Sequence, residues 1–200
     1  MTTTPDSERR TGAETRAEIL RVALRLFTEK GFEGTSIRDI ADALGTTKSS
    51  LYYHFPSKDA IVTSLMEERR HELDGLVDWI AGQPPAPGLL RETALRWIDG
   101  TTPERLQAMR LAHANQPLVR RLAAGGQDVR SGFDRVVDLF ADDGTTTEDR
   151  LLIRMAFDTV SAALLAAQGT DAGPDDVIAA ARRATLALTC PGGSGANDPA

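Results

Sequence analysis

Ala43-Leu44-Gly45-Thr46-Thr47-Lys48-Ser49-Ser50-Leu51-Tyr52-Tyr53-His54-Phe55-Pro56-Ser57-Lys58 contains no carboxylate. The whole chain carries 29 Asp and Glu against 23 Lys and Arg, a net charge of -6, so this stretch runs against the rest. It collects two lysines, a histidine, two tyrosines and several small hydroxyls, groups that hydrogen-bond phosphate oxygens and base edges. Leu51 and Phe55 lie four residues apart and give the segment one apolar anchor pair. The remaining side chains have no hydrophobic reason to be there. The spacing predicts a short helix over Lys48–His54, capped by Thr47 and ended at Pro56.

Working outward, Ser36–Leu44 reads as a second short helix, with Ile37, Ile40, Ala41 and Leu44 on its apolar side and Thr35 or Ser36 as its cap. Gly45 makes the turn between the two, so the pair has the form of a helix-turn-helix. Before it, Glu14–Lys30 forms a helix with Ile19, Ala23, Leu26 and Phe27 on one face. Gly31 is placed to take a left-handed C-terminal position, and Phe32 to fold back on the last turn. After it, Ser57 caps a long helix over Lys58–Ala81, with a stripe of Ile61, Leu65, Leu73, Leu76, Val77 and Ile80.

Gly82–Gly88 breaks the chain. Further helices are expected over Leu89–Asp99, Pro103–Asn115, Pro117–Ala124, Gln127–Ala141, Thr147–Gln168 and Pro174–Thr189, and no alternating strand pattern is visible. The fold class is therefore all-α: an N-terminal three-helix helix-turn-helix head on a larger C-terminal helical bundle. The expected divisions are a disordered arm at 1–13, a DNA-binding unit at 14–57, a ligand-binding and dimerisation unit at 58–190 and a disordered tail at 191–200. Arg9 and Arg10 fit either a DNA-reaching arm or a solvated tail. Two alanine-rich stripes stand out: Leu151, Leu152, Met155, Ala156, Thr159, Val160, Ala163, Leu164 and Ala167, then Val177, Ile178, Ala181, Ala184, Thr185 and Leu188. They fit core helices of a monomer or a dimer contact.

The charge total does not argue against a nucleic-acid partner. Residues 1–60 hold nine basic and nine acidic side chains, so all the net negative charge lies beyond them. An acidic body also restrains non-specific, purely electrostatic DNA binding. No apolar run approaches the ~20 residues of a membrane span, and residues 1–10 lack the apolar region of a secretory signal. Cys190 is the only cysteine, which excludes an internal disulfide and a cysteine-rich zinc site. A cytoplasmic setting follows as an expectation.

In a helix-turn-helix the second helix enters the major groove with its N-terminal residues first. Here these are Thr47, Lys48, Ser49 and Ser50. Tyr52, Tyr53 and His54 suit flanking phosphates, as does Lys58; Ser36 and Arg38 suit the backbone on the other side. One of the two adjacent tyrosines is expected to point inward, and His54 fits a packing role equally well. One such helix reads only ~3–4 base edges, so specificity calls for two heads ~34–36 Å apart on a palindrome. Homodimer contact through the helices near 147–168 and 174–189 would supply the pair.

The head resembles the tetracycline-repressor (TetR-like) family of bacterial regulators. The resemblance is carried by Leu26-Phe27-Thr28-Glu29-Lys30-Gly31-Phe32, Thr35-Ser36-Ile37-Arg38-Asp39-Ile40-Ala41, Leu44-Gly45 and Leu51-Tyr52-Tyr53-His54-Phe55-Pro56-Ser57-Lys58, over about residues 14–65. It implies a homodimeric repressor that binds a palindromic duplex and is released by a small molecule. It also implies DNA-facing roles for Ser36, Arg38, Thr47, Lys48, Tyr52, Tyr53, His54 and Lys58. The chain departs from the common pattern at Thr46-Thr47, where Val-Ser is usual, and at Ser49, where glycine is common. Beyond the Lys58–Ala81 helix no family motif is recognisable.

Such proteins hold an effector between body helices. Trp97, Met109, His113, Phe133, Val137 and Phe157 are the candidate lining residues, with Trp79 adjacent; each also fits plain core. Arg96 and Arg110 fit either an acidic ligand or solvent. No cofactor is implied beyond an unidentified small-molecule effector. For an enzyme, the chain lacks HxxxH, CxxC, GxSxG and phosphate-loop patterns, and His54, His71 and His113 lie far apart. No metal cluster and no catalytic residue is expected. A plain helical interaction module is the other alternative, but it leaves the carboxylate-free segment unexplained.

Overall fold

A computed structural model describes residues 11–123 and 129–190, with the side chains of 129–131 left aside. Arg9, Arg10, the tail 191–200 and the expected helix ends at Ala124 and Gln127 lie outside the described residues. The described chain is helical: α1 (Gly12–Lys30), α2 (Ile37–Leu44), α3 (Lys48–His54), α4 (Lys58–Ala81), α5 (Leu89–Asp99), α6 (Pro103–Ala114), α7 (Gln116–Ala123), α8 (Val129–Phe140), α9 (Thr147–Ala166) and α10 (Pro174–Leu188). No strand occurs among the described residues.

Local chemistry sets the helix starts. Thr11 and Glu14 form a reciprocal capping box, which is why α1 begins at Gly12 rather than at Glu14. Ser36, not Thr35, caps α2. Thr35 is buried instead, its hydroxyl donating to the carbonyls of Leu26 (3.1 Å) and Gly31 (2.9 Å). Gly45 is left-handed at φ 64°, ψ 31° and turns the chain from α2 into α3. Gly31 also has positive φ, 78°, but with ψ 158°. That is the mirror of extended backbone, not the left-handed helical well, and only glycine reaches it readily. Phe32 then packs on Phe27, ring centroids 5.3 Å apart.

The head core is built from Ile19, Ala23, Phe27, Ile40, Leu51, Phe55 and Ile61 among others, and it is completed by Leu111 of α6 and Leu118 of α7. The head thus shares its core with body helices. The sequence pattern does not reveal this, because periodicity marks an apolar face and not its partner.

Helix α4 serves both units. Ile61 and Val62 enter the head core, and Leu73, Leu76, Val77 and Ile80 enter a body core with Trp97, Phe133, Val136 and Phe157. Between them runs the polar span Glu67-Glu68-Arg69-Arg70-His71-Glu72. A third cluster joins Ile98, Leu106, Val160, Leu164, Val177 and Ala181. Helices α9 and α10 approach closely over small residues. The Thr159 and Thr185 hydroxyls are 2.9 Å apart, and Thr185 also donates to the Ala156 carbonyl at 2.9 Å.

Candidate nucleic-acid interface

Helix α3 is held from one side only. Leu51 and Phe55 are fully buried in the head core, and the Thr47 hydroxyl accepts from the Ser50 amide at 3.1 Å. Everything else on the helix is free to face outward. Lys48 and Ser49 are exposed and Ser50 is half-buried. Tyr53 is 86% exposed and Tyr52 51% exposed, so neither tyrosine points inward, contrary to the expectation above. The reason is angular. At about 100° per residue, the positions after Leu51 rotate away from the face that Leu51 and Phe55 already fill. The His54 ring meets the Tyr53 ring edge-on at 5.1 Å, and Lys48 has no carboxylate partner among the described residues.

On α2, Ser36 forms a capping box with Asp39. These hydrogen bonds hold the Asp39 carboxyl below the usual carboxylate range, the Ser36 hydroxyl contributing most. Arg38 is exposed, with Asp42 3.6 Å away. At such exposure this pair is weak, so Arg38 is free to exchange Asp42 for a phosphate.

Lys58 is placed differently from its expected phosphate contact. Its Nζ donates to the Phe32 carbonyl at 2.7 Å and stands 4.4 Å from the centroid of the Phe32 ring. It pins the start of α4 to the α1–α2 connection. Lys58→Met is expected to lower stability by about 1.5–3 kcal/mol, the range for a hydrogen bond from a charged donor. Tyr53→Ala should stay within about 0.5 kcal/mol of the unaltered chain. Urea denaturation of the two variants checks both.

The body candidates divide. Trp97, Phe133, Val137 and Phe157 are buried together in one core, with Trp97 and Phe133 edge-on at 5.5 Å and Phe133 and Phe157 at 6.3 Å. Met109 packs on the separate cluster around Leu106 and Leu164. Trp79 is half-buried under the Arg96 guanidinium, 4.8 Å from its ring. His113 is 2.9 Å from the Ser161 hydroxyl, and burial lowers its pKa from the ordinary imidazole value. The fold therefore favours neutral His113. This contribution to stability is present above the unfolded-state pKa of about 6.5 and is lost as pH falls from there toward the folded value. Relative to His113→Gln, the unaltered chain is expected to lose stability between pH 7.5 and pH 5; denaturation at the two pH values measures it. An open groove of about 420 Å³, lined by Leu90, Phe140, Asp142, Thr145, Leu152 and Leu188 among others, borders none of the six candidate lining residues.

Residues 19–65 match the family model for bacterial regulatory proteins of the tetR family. Over 125 residues the chain is 34% identical to the HTH-type transcriptional repressor KstR2 of Rhodococcus jostii, covering 62% of this chain and 59% of that relative. Over 93 residues it is 36% identical to the HTH-type transcriptional regulator AcrR of Shigella flexneri, covering 46% and 43%. The ketosteroid transcriptional regulator KstR2 of Mycobacterium tuberculosis superposes with a TM-score of 0.63 over 90% of this chain and 95% of that one, at 21% identity, a likeness of fold.

The head, over residues 19–65, is a TetR-family regulatory domain. Its relatives are transcriptional regulators, and TetR-family proteins are not enzymes. The sequence matches reach under two thirds of the length of either curated relative. No described helix is long and apolar enough to cross a membrane. Sequence reasoning missed two features of the body. One is how the apolar side chains of α9 divide, with Leu151 (59% exposed), Met155 (51%) and Leu165 (50%) facing outward. The expected stripe is thus divided, with Ala156, Thr159, Val160 and Leu164 buried within the chain and Leu151, Leu152 and Met155 left outward. The other is a pair of arginines at Trp97; charged side chains in a helical pattern read as solvent-facing, so no sequence signal marked them.

Proposed function

We propose that this protein is a ligand-responsive DNA-binding transcriptional regulator, a repressor that holds a palindromic operator as a homodimer and leaves it when a small molecule occupies the body. The observation that carries the reading is α3: its two buried anchors orient an outward face of Lys48, Ser49, Tyr52 and Tyr53, with no carboxylate in the helix. In this reading Thr47, Lys48, Ser49 and Ser50 meet base edges, and Tyr52, Tyr53, His54, Ser36 and Arg38 meet the phosphate backbone. Lys58 acts mainly by fixing α4 against the head. Residues 14–57 form the DNA-binding unit and 58–190 the effector and dimer unit, with the head core borrowing Leu111 and Leu118.

Two copies associate through α9 and α10, whose outward faces carry Leu151, Met155, Leu165 and Leu186 beside exposed Ala162, Ala179, Ala180 and Ala184. Effector binding shifts a population between head spacings, and operator and effector oppose each other reciprocally. Movement reaches the head along continuous α4 and through Leu111 and Leu118. Selection of bound duplexes from a random pool tests the reading. Two-fold symmetric sites with half-sites about 10 base pairs apart, or a multiple of that, are expected; a recovered pool without symmetry would contradict the dimeric operator.

A further inference from the structure

We propose that Arg69, Arg105 and Trp97 form the seat of an anionic effector, an organic carboxylate on an apolar frame. The inference rests on the effector reading above and names the chemical class of that ligand. Arg69 projects from the polar middle of α4 and Arg105 from α6. The Arg69 guanidinium stands 3.7 Å from the Trp97 ring centroid and that of Arg105 5.4 Å from it. Their side chains are only 17% and 14% exposed.

Among the described residues, these two cations share one ion-pairing carboxylate. Glu72 lies 3.3 Å from Arg69 and in direct contact with Arg105. The other carboxylate that bears on Arg69, Asp158, is held by Arg154 Nε at 2.8 Å. Arg105 Nε is buried without a hydrogen-bond partner among the described residues. A surplus cation in a desolvated place is unfavourable unless an anion joins it. Burial first, and the neighbouring Arg105 charge second, lower the Arg69 pKa to about 10, in keeping with that shortage.

The surroundings define the rest of the ligand. Trp97 meets Phe133 edge-on, and Phe133 leads on to Phe157, so an apolar wall adjoins the cationic end. A carboxylate could accept from the unpartnered Nε of Arg105 or take the place of Glu72; forked guanidinium–carboxylate pairing favours both. Because Arg69 and Glu72 belong to α4 and Arg105 to α6, an anion bridging them would act on two of the helices that reach the head core.

The test uses the full chain with Trp79→Phe, which leaves Trp97 as the only indole. Its fluorescence is followed during titration with matched pairs, decanoate against decanol and phenylbutyrate against phenylbutanol. Each carboxylate is expected to bind about tenfold or more tightly than its alcohol, a difference of about 1.4 kcal/mol, and Arg105→Gln to remove that preference. Equal binding within each pair, no binding of any probe, or an unchanged preference in Arg105→Gln would overturn the proposal and leave the arginines as a packing device for Trp97. If Arg105→Gln does not fold, the pairs on the unaltered arginines still decide. Duplex binding is measured in parallel without probe. Its absence would sink the regulator reading while carboxylate preference left the anion site standing.

Discussion

Leu151→Glu combined with Met155→Glu is expected to turn a dimer into a folded monomer and to weaken binding to a palindromic duplex by about two orders of magnitude or more. Both side chains are more than half exposed on α9. Leu152 and Leu186 add to the apolar surface, each 39% exposed. Apolar side chains clustered in this way on a soluble surface mark a contact site. The α10 side adds alanines that let backbones approach closely. Two carboxylates at the centre of such a contact would be buried without partners in both copies, which association cannot offset. Neither position contributes to the intrachain core, so the monomer should keep its helicity. Sedimentation gives the mass, and duplex titration the affinity. A variant that remains dimeric would move the interface elsewhere.

Leu51→Ala is expected to remove about 2–5 kcal/mol of stability, the range for emptying a fully buried leucine site. Leu51 is 0% exposed, and with Phe55 it is what fixes α3 to the head. Losing it would free the recognition helix before any DNA contact is touched. The head core also includes Leu111 and Leu118, so the loss should be felt in α6 and α7 as one cooperative change. Urea denaturation followed by far-ultraviolet circular dichroism reads the loss. Hydrogen exchange of the α6 amides would show whether the head unfolds alone, which the shared core does not predict.

The starts of α2, α3 and α4 were legible because caps are local. Ser36, Thr47 and Ser57 each stand at the boundary the pattern gives and accept from an amide three residues on. The fold class followed from the same repeated signal. The candidate interface was legible as composition, but its geometry was not. Adjacent Tyr52 and Tyr53 suggest that one turns inward, whereas Leu51 already occupies the inner face. Lys58 reads as a free cation in sequence; only the fold brings the Phe32 carbonyl to it across 26 positions.

The body was harder for one physical reason. An apolar stripe on α9 specifies burial without saying whether the cover comes from the same chain, and here Val160 and Leu164 are covered within it while Leu151 and Met155 are not. Trp97, Phe133 and Phe157 were rightly grouped as large side chains facing inward, yet Arg69 and Arg105, which give their surroundings a sign of charge, lie on helices where a charged residue is unremarkable.

The proposed regulator depends on α3 as its DNA-reading helix. The most direct test is the affinity of the full chain for the duplex upstream of its own gene, against scrambled duplex, across a salt series, with Lys48→Ala/Tyr53→Ala alongside. Tight, specific binding is expected, falling steeply with salt and lost in the double variant without loss of fold. Binding no better than to scrambled duplex, from folded dimeric protein and with no preferred sequence recovered by selection, would contradict it.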